Sequence, residues 1–165
     1  MRIRRILVPT DFGRPAAAAL DLAIEMARAT GAALSIMHVS ETGPELVATP
    51  GRSTTALCKS IRASADRELA DAIERTRAAL DDVDGVFCEG SPVRKILEVT
   101  RKRGFDLVIM GTHGRRGARR LFLGSVAEGV VRRSTIPVIT VRADRARSRV
   151  PKLWTEPDAE VARSI

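Results

Sequence analysis

Five short apolar runs, none of which alternates with polar residues, recur along the chain: Arg5–Val8, Ala33–Val39, Gly85–Glu89, Asp106–Met110 and Val138–Val141. Strands that are apolar on both faces are those of a sheet covered on both sides. Pro9 is expected to stop the first run, with Asp11 just past its end and Phe12-Gly13 completing a turn. Between the runs the apolar positions change to helical spacing. Pro15 opens a helix with Leu20, Ala23, Ile24 and Ala27 on one stripe, and Gly31 ends it. A long second helix places Ile61, Ala65, Leu69, Ala72, Ile73, Thr76 and Leu80 inward, carries mixed charges outward and closes at Asp81–Asp84. A third has Ser91 as N-cap, Pro92 at its first position, Val93, Ile96, Leu97 and Thr100 inward, and Gly104 at its end. The last helix is expected over Val126–Arg133. Glu41–Thr55 has no periodicity and reads as a mobile loop, a flap at the sheet end where Asp11 lies.

Strand and helix alternate from end to end, which predicts an α/β fold: a five-stranded parallel sheet with helices on both faces. Ligands in such sheets bind beyond the carboxyl ends of the strands. Asp11, the residues after Val39, Gly90 and a glycine-rich stretch after Met110 all fall at that edge. That stretch, Gly111–Ser125, reads GTHGRRGARRLFLGS. It joins a strand end to a helix start, with glycines that let the backbone approach a phosphate. Helical N–H groups with the positive end of the dipole stand behind it. The stretch is read as a nucleotide phosphate loop. Arg115, Arg116, Arg119 and Arg120 lie inside it, where one or two could neutralise phosphate charge while most are read as solvated.

Composition narrows the remaining classes. At 165 residues, residues 1–142 make one domain, and 143–165 form a basic tail, either flexible or docking through Leu153 and Trp154. Aromatic residues are 3% and tyrosine is absent, so a stacking surface for single strands is hard to build. The net charge of +8 therefore reads first as solvated arginine faces and only second as nucleic-acid binding. Cys58 and Cys88 are far apart with no metal spacing, as in a reducing compartment. The first apolar run is too short for a signal sequence and no later run would span a membrane, so a cytoplasmic location is expected.

Taken in order, VPTD, HV at the end of the second strand, GSPVRKIL, DLVIMGTHGRRG and LFLGSVAEGVVRRSTIPVITVR resemble the universal stress protein family, specifically its ATP-binding branch. The spacing G-x2-G-x9-G-[ST] falls on Gly111, Gly114, Gly124 and Ser125. The resemblance implies a Rossmann-like sheet of the adenine nucleotide alpha hydrolase type, with ATP or another adenine nucleotide at its carboxyl edge. Pro9, Thr10 and Asp11 would stand at the nucleoside and Val39 at the adenine. Met110, Gly111, Gly114, Gly124, Ser125 and Val126 would hold ribose and phosphates, commonly with Mg2+ or Mn2+ on the phosphates. It also implies a homodimer through the last strand, Val138, Ile139, Thr140 and Val141. Gly129 departs from the larger residue common in the family and should weaken the last helix by up to ~1 kcal/mol.

Each candidate has a duller reading beside it. Asp11 either caps the first helix or meets a ribose, and Ser125 with Glu128 could form a capping box. His38, inside an apolar strand, reads as a satisfied core residue. His113 has no partner carboxylate, the loop has no lysine, and GxxxxGK[ST] and GxGxxG are absent. A binder is expected, acting as a nucleotide-dependent stress-response regulator. A slow ATPase and a nucleotide-independent adaptor or nucleic-acid binder are the alternatives.

Overall fold

The computed structural model describes residues 2–41, 54–112 and 123–142. Its elements are β1 (Arg5–Thr10), α1 (Arg14–Thr30), β2 (Ala33–Ser40), α2 (Thr54–Arg77), β3 (Val83–Glu89), α3 (Pro92–Arg103), β4 (Leu107–Gly111), α4 (Ser125–Arg133) and β5 (Val138–Val141). All neighbouring strands pair in parallel, in the order β3-β2-β1-β4-β5. The five-stranded parallel sheet predicted from the alternation is the sheet observed.

Side chains alternate along each strand between two cores. On one face Ile6, Val8, Leu34, Ile36, Leu107 and Ile109 pack with Ala19, Ala23 and Ala27 of α1 and Leu69 and Ala72 of α2. On the other, Leu7, Met37, Val86, Val108 and Met110 pack with Ile96 of α3 and Ala127 and Val130 of α4. Burying one such large aliphatic side chain is worth roughly 1.5–3 kcal/mol, so both faces hold the sheet. The chain first adds β2 and β3 to one side of β1, then adds β4 and β5 to the other. β1 and β4 therefore flank the switch point, where a crevice opens beyond their carboxyl ends.

Several boundaries differ from the sequence reading. β1 does not stop at Pro9 but runs through it to Thr10. The β1–β4 register is carried by Ile6 and Leu7, so the missing N–H falls past that ladder, where it costs no hydrogen bond. α2 ends at Arg77, and Asp84 belongs to β3 rather than to the helix end. Ile61, expected inward, is 38% exposed, and the first inward residue described on α2 is Ala65. A 24-residue helix is about 36 Å long, whereas a seven-residue strand spans roughly 23 Å. The first turns of α2 thus overhang the carboxyl edge.

Glycine placement explains two helix ends and one close helix contact. Gly31 and Gly104 end their helices in the left-handed conformation, as expected. Gly129 lies where a Cβ would come 2.8 Å from Val93 Cγ2, so its small size lets α4 close against α3. Among the described residues no helix is long and apolar enough to cross a membrane.

Candidate functional site

The crevice is built from four chain ends that the parallel sheet delivers to one edge. Register pairs Pro9 with Met37 and Thr10 with His38, which puts the following residues, Asp11 and Val39, level with each other. On the other side Leu7 pairs with Val108, and the same register continued brings Thr10 level with Gly111. Pro9 is buried, Thr10 and Asp11 are half-buried, and Val39 packs against the α3/α4 core with its backbone at the edge. Met110 is 4% exposed and sits in that core, so only its main chain is offered to the crevice.

The turn after β1 is held by its own side chains. Thr10 Oγ1 accepts the Phe12 N–H at 2.9 Å, and Asp11 Oδ1 accepts the Gly13 N–H at 3.1 Å. Asp11 is thus not the cap of α1. Gly13 occupies the N-cap position with no side-chain bond, and Asp11 closes the turn before it. Phe12 has φ of +61°, the only positive φ on a non-glycine among the described residues. For a bulky residue this conformation costs on the order of 1–2 kcal/mol. Burial of its ring offsets that cost, since Phe12 is 5% exposed. The ring stacks on His38 at a centroid distance of 4.6 Å and an angle of 27°. His38 Nδ1 lies 2.9 Å from the Thr10 carbonyl oxygen, so the imidazole is fixed by the turn that it supports.

The opposite wall is the start of α4. Gly124 is its N-cap and Ser125 its first helical residue, so the capping box expected of Ser125 and Glu128 does not form. The reason is one residue of phase. The first intrahelical bond runs from Glu128 N–H to the Gly124 carbonyl, which leaves Ser125 inside the turn. The N–H groups of Ser125, Val126 and Ala127 precede that bond and have no intrahelical partner, and a helix dipole aims its positive end there. Gly124 N–H donates to the Thr112 carbonyl at 2.6 Å, and Thr112 N–H to the Val141 carbonyl at 2.9 Å. Thr112 therefore ties the helix start to the ends of β4 and β5. Gly111 is packed, not merely flexible, because a Cβ there would lie 2.7 Å from the Pro15 carbonyl carbon and 2.8 Å from Ala16 N.

Gly114, Arg115 and His113 lie outside the described residues, as do most of the Glu41–Thr55 loop and all of the 143–165 tail. Among the described cations, Arg28, Arg75, Arg77, Arg101, Lys102, Arg103, Arg132 and Arg133 occupy the last turns of the helices. Those turns are at the amino edge of the sheet, away from the crevice. There the positive charge complements the helix dipoles. No group of three or more His, Cys, Asp or Glu side chains suited to a metal stands among the described residues.

Thr10, Asp11, Val39, Gly111, Gly124, Ser125 and Val126 thus stand at strand and helix ends on one edge of the sheet. Phe12 and Thr112 were missed, and His38 was seen only as a core residue. A positive φ on phenylalanine has no sequence signal, and the tie through Thr112 exists only once β4 and α4 are side by side.

The chain is similar in sequence and in fold to known proteins. Universal stress protein YxiE of Bacillus subtilis is 31% identical over 148 residues, covering 84% of this chain and 98% of its own. The structure of MJ0577, a Methanocaldococcus jannaschii protein, superposes with a TM-score of 0.71 at 25% identity, over 88% of this chain and all of the other. A universal stress protein in complex with cAMP superposes with a TM-score of 0.66 at 26% identity, over 87% of this chain and all of the other. The model of the universal stress protein family matches residues 2–142, the span that holds both cores and all five strands, and the chain belongs to that family.

Proposed function

We propose that the protein binds an adenine nucleotide, with ATP the first candidate, in the crevice between β1 and α4, and that occupancy regulates it in a stress response. One observation carries this reading. Among the described residues, the Asp11 turn and the N–H groups at the start of α4, which have no intrahelical partner, stand at the same edge of the sheet, beside its switch point. A carboxylate at a strand end suits ribose hydroxyls, and a helix N-terminus suits phosphate. The related protein crystallised with cAMP supports the adenine end. Pro9, Thr10, Asp11 and Val39 would flank the nucleoside. Gly111, Gly124, Ser125 and Val126, with Gly114 and Arg115, would flank the phosphates. Mg2+ or Mn2+ would be held through the phosphates, since the described side chains form no metal cluster of their own.

The protein is proposed as a binder rather than an efficient enzyme, because the glycine stretch has no lysine to follow a leaving phosphate. A homodimer through β5 is part of the proposal. All four residues of this edge strand are half-exposed, and Val131 on α4 is 44% exposed. Sedimentation of the full chain reads the dimer directly.

The deciding experiment denatures purified protein and identifies the released small molecule by mass. A melt with excess MgATP accompanies it. At a hundredfold excess over Kd the gain is about 2.7 kcal/mol, several degrees for a domain of this size. An unmoved Tm at millimolar MgATP, with no adenine nucleotide released, removes the proposal. Recovery of intact ATP after long incubation separates a binder from a slow ATPase.

A further inference from the structure

Phe12, His38 and Phe87 form a row of rings across the carboxyl ends of β1, β2 and β3. Phe12 stacks on His38, and His38 meets Phe87 at 6.0 Å between centroids. Arg62 closes the row, its guanidinium 5.0 Å over the Phe87 ring and 2.7 Å from the Glu89 carboxylate. The row lies on the α1/α2 side of the sheet, whereas Val39 belongs to the opposite side. The rings are therefore not a wall for the base. Their end member, Phe12, is the residue directly after Asp11, held at a φ that it would leave if its ring were released.

We propose that Phe12 and His38 are a positioning pair that sets the Asp11 carboxylate for the ribose hydroxyls of the nucleotide. This inference rests on the adenine-nucleotide reading above. Phe12 N–H is held by Thr10 Oγ1, and the Thr10 carbonyl is held by His38 Nδ1–H. One neighbour of Asp11 is thus bonded to the imidazole through its carbonyl, and the other is stacked on it through its ring. Asp11 Oδ1 closes the turn on Gly13 N–H, so the direction of the carboxylate follows the backbone that the pair controls. Without the stack, Phe12 relaxes to negative φ and the carboxylate turns with it. The fold survives, because Phe12 is one member of the α1/α2 core and the strands and helices supply the rest of both cores. The ability to tell a ribose from a sugar without hydroxyls does not survive.

Calorimetric titrations with MgATP, Mg-2′,3′-dideoxy-ATP and inorganic tripolyphosphate, on wild type, His38→Ala and Asp11→Ala, test the pair. Wild type is expected to prefer ATP over the dideoxy compound by about tenfold, the scale of a hydrogen bond to a charged group. Asp11→Ala loses that preference. His38→Ala loses most of it while tripolyphosphate binding stays unchanged, and adding His38→Ala to Asp11→Ala changes nothing further. Phe12→Leu, which keeps the apolar volume without the stack, serves as the second variant if His38→Ala does not fold, and it has the same expected result. Variants that fold and keep the wild-type preference overturn the pair alone. Wild type that binds neither nucleotide overturns the nucleotide reading, and the pair with it.

Discussion

Gly111 at the end of β4 faces Pro15 in the first turn of α1 so closely that a Cβ would lie 2.7 Å from the Pro15 carbonyl carbon. The Pro15 carbonyl carbon and Ala16 N, at 2.8 Å, are both main chain, so neither can rotate away. Gly111→Ala is therefore expected to push α1 off β4 and cost about 1–3 kcal/mol, the range for overpacking. Chemical denaturation of the variant measures it. A loss below about 0.5 kcal/mol, the scale of an ordinary surface change, would contradict the contact. Nucleotide affinity should fall too, because α1 begins at the Asp11 turn.

Gly129 and Val93 make a second close contact, with opposite forces at one position. Alanine for glycine in a helix interior gains up to ~1 kcal/mol, but here the new Cβ meets Val93 Cγ2 at 2.8 Å and Cγ1 at 3.2 Å. Valine has a stiff χ1 and cannot swing aside. Gly129→Ala is expected to destabilise wild type and to stabilise a Val93→Ala background. Four melts close the cycle, and equal effects in the two backgrounds would remove Val93 as the cause.

Ser125 is exposed, and among the described residues its hydroxyl caps no N–H of α4. Ser125→Ala should thus change stability by less than about 0.5 kcal/mol. Any loss of MgATP affinity in the same variant then reports contact with ligand alone. A large drop in Tm without nucleotide would show that the hydroxyl is structural after all.

Asp21 stands half-buried in the cleft between α1 and α2, beside Leu20, Ile24, Ala72, Arg75 and Thr76. Desolvation first, and then the Glu25 carboxylate, raises its pKa above the ordinary 3.8. The folded state therefore binds this proton more tightly than the unfolded one. The penalty of ionising Asp21 is absent below the unfolded value, grows as pH rises toward the raised folded value, and is fully present above it. Asp21→Asn should melt higher than wild type at pH 7, with the gap closing below about pH 4. A gap that does not vary with pH refutes the assignment.

The apolar runs and helical stripes determined the order of elements and the parallel sheet, and pointed to the carboxyl edge as the proposed binding edge. This was legible because burial on both faces leaves an unbroken apolar run, and strand–helix alternation admits few topologies. The spacing of Gly111, Gly114, Gly124 and Ser125 points to the proposed phosphate site at that edge. Boundaries set by competition were not legible. Pro9 continues β1 because the β4 ladder has already ended there, and Ser125 enters α4 because Gly124 takes the cap. Gly111 and Gly129 looked like a phosphate glycine and a weak spot. Only the packed helices showed that each makes room for a neighbour. The same is true of Phe12 and His38, which lie 26 positions apart and meet solely because β1 and β2 pair Thr10 with His38. Local pattern determines which segments become strands and helices, whereas the distances between their ends are decided by packing, which no single stretch of sequence contains.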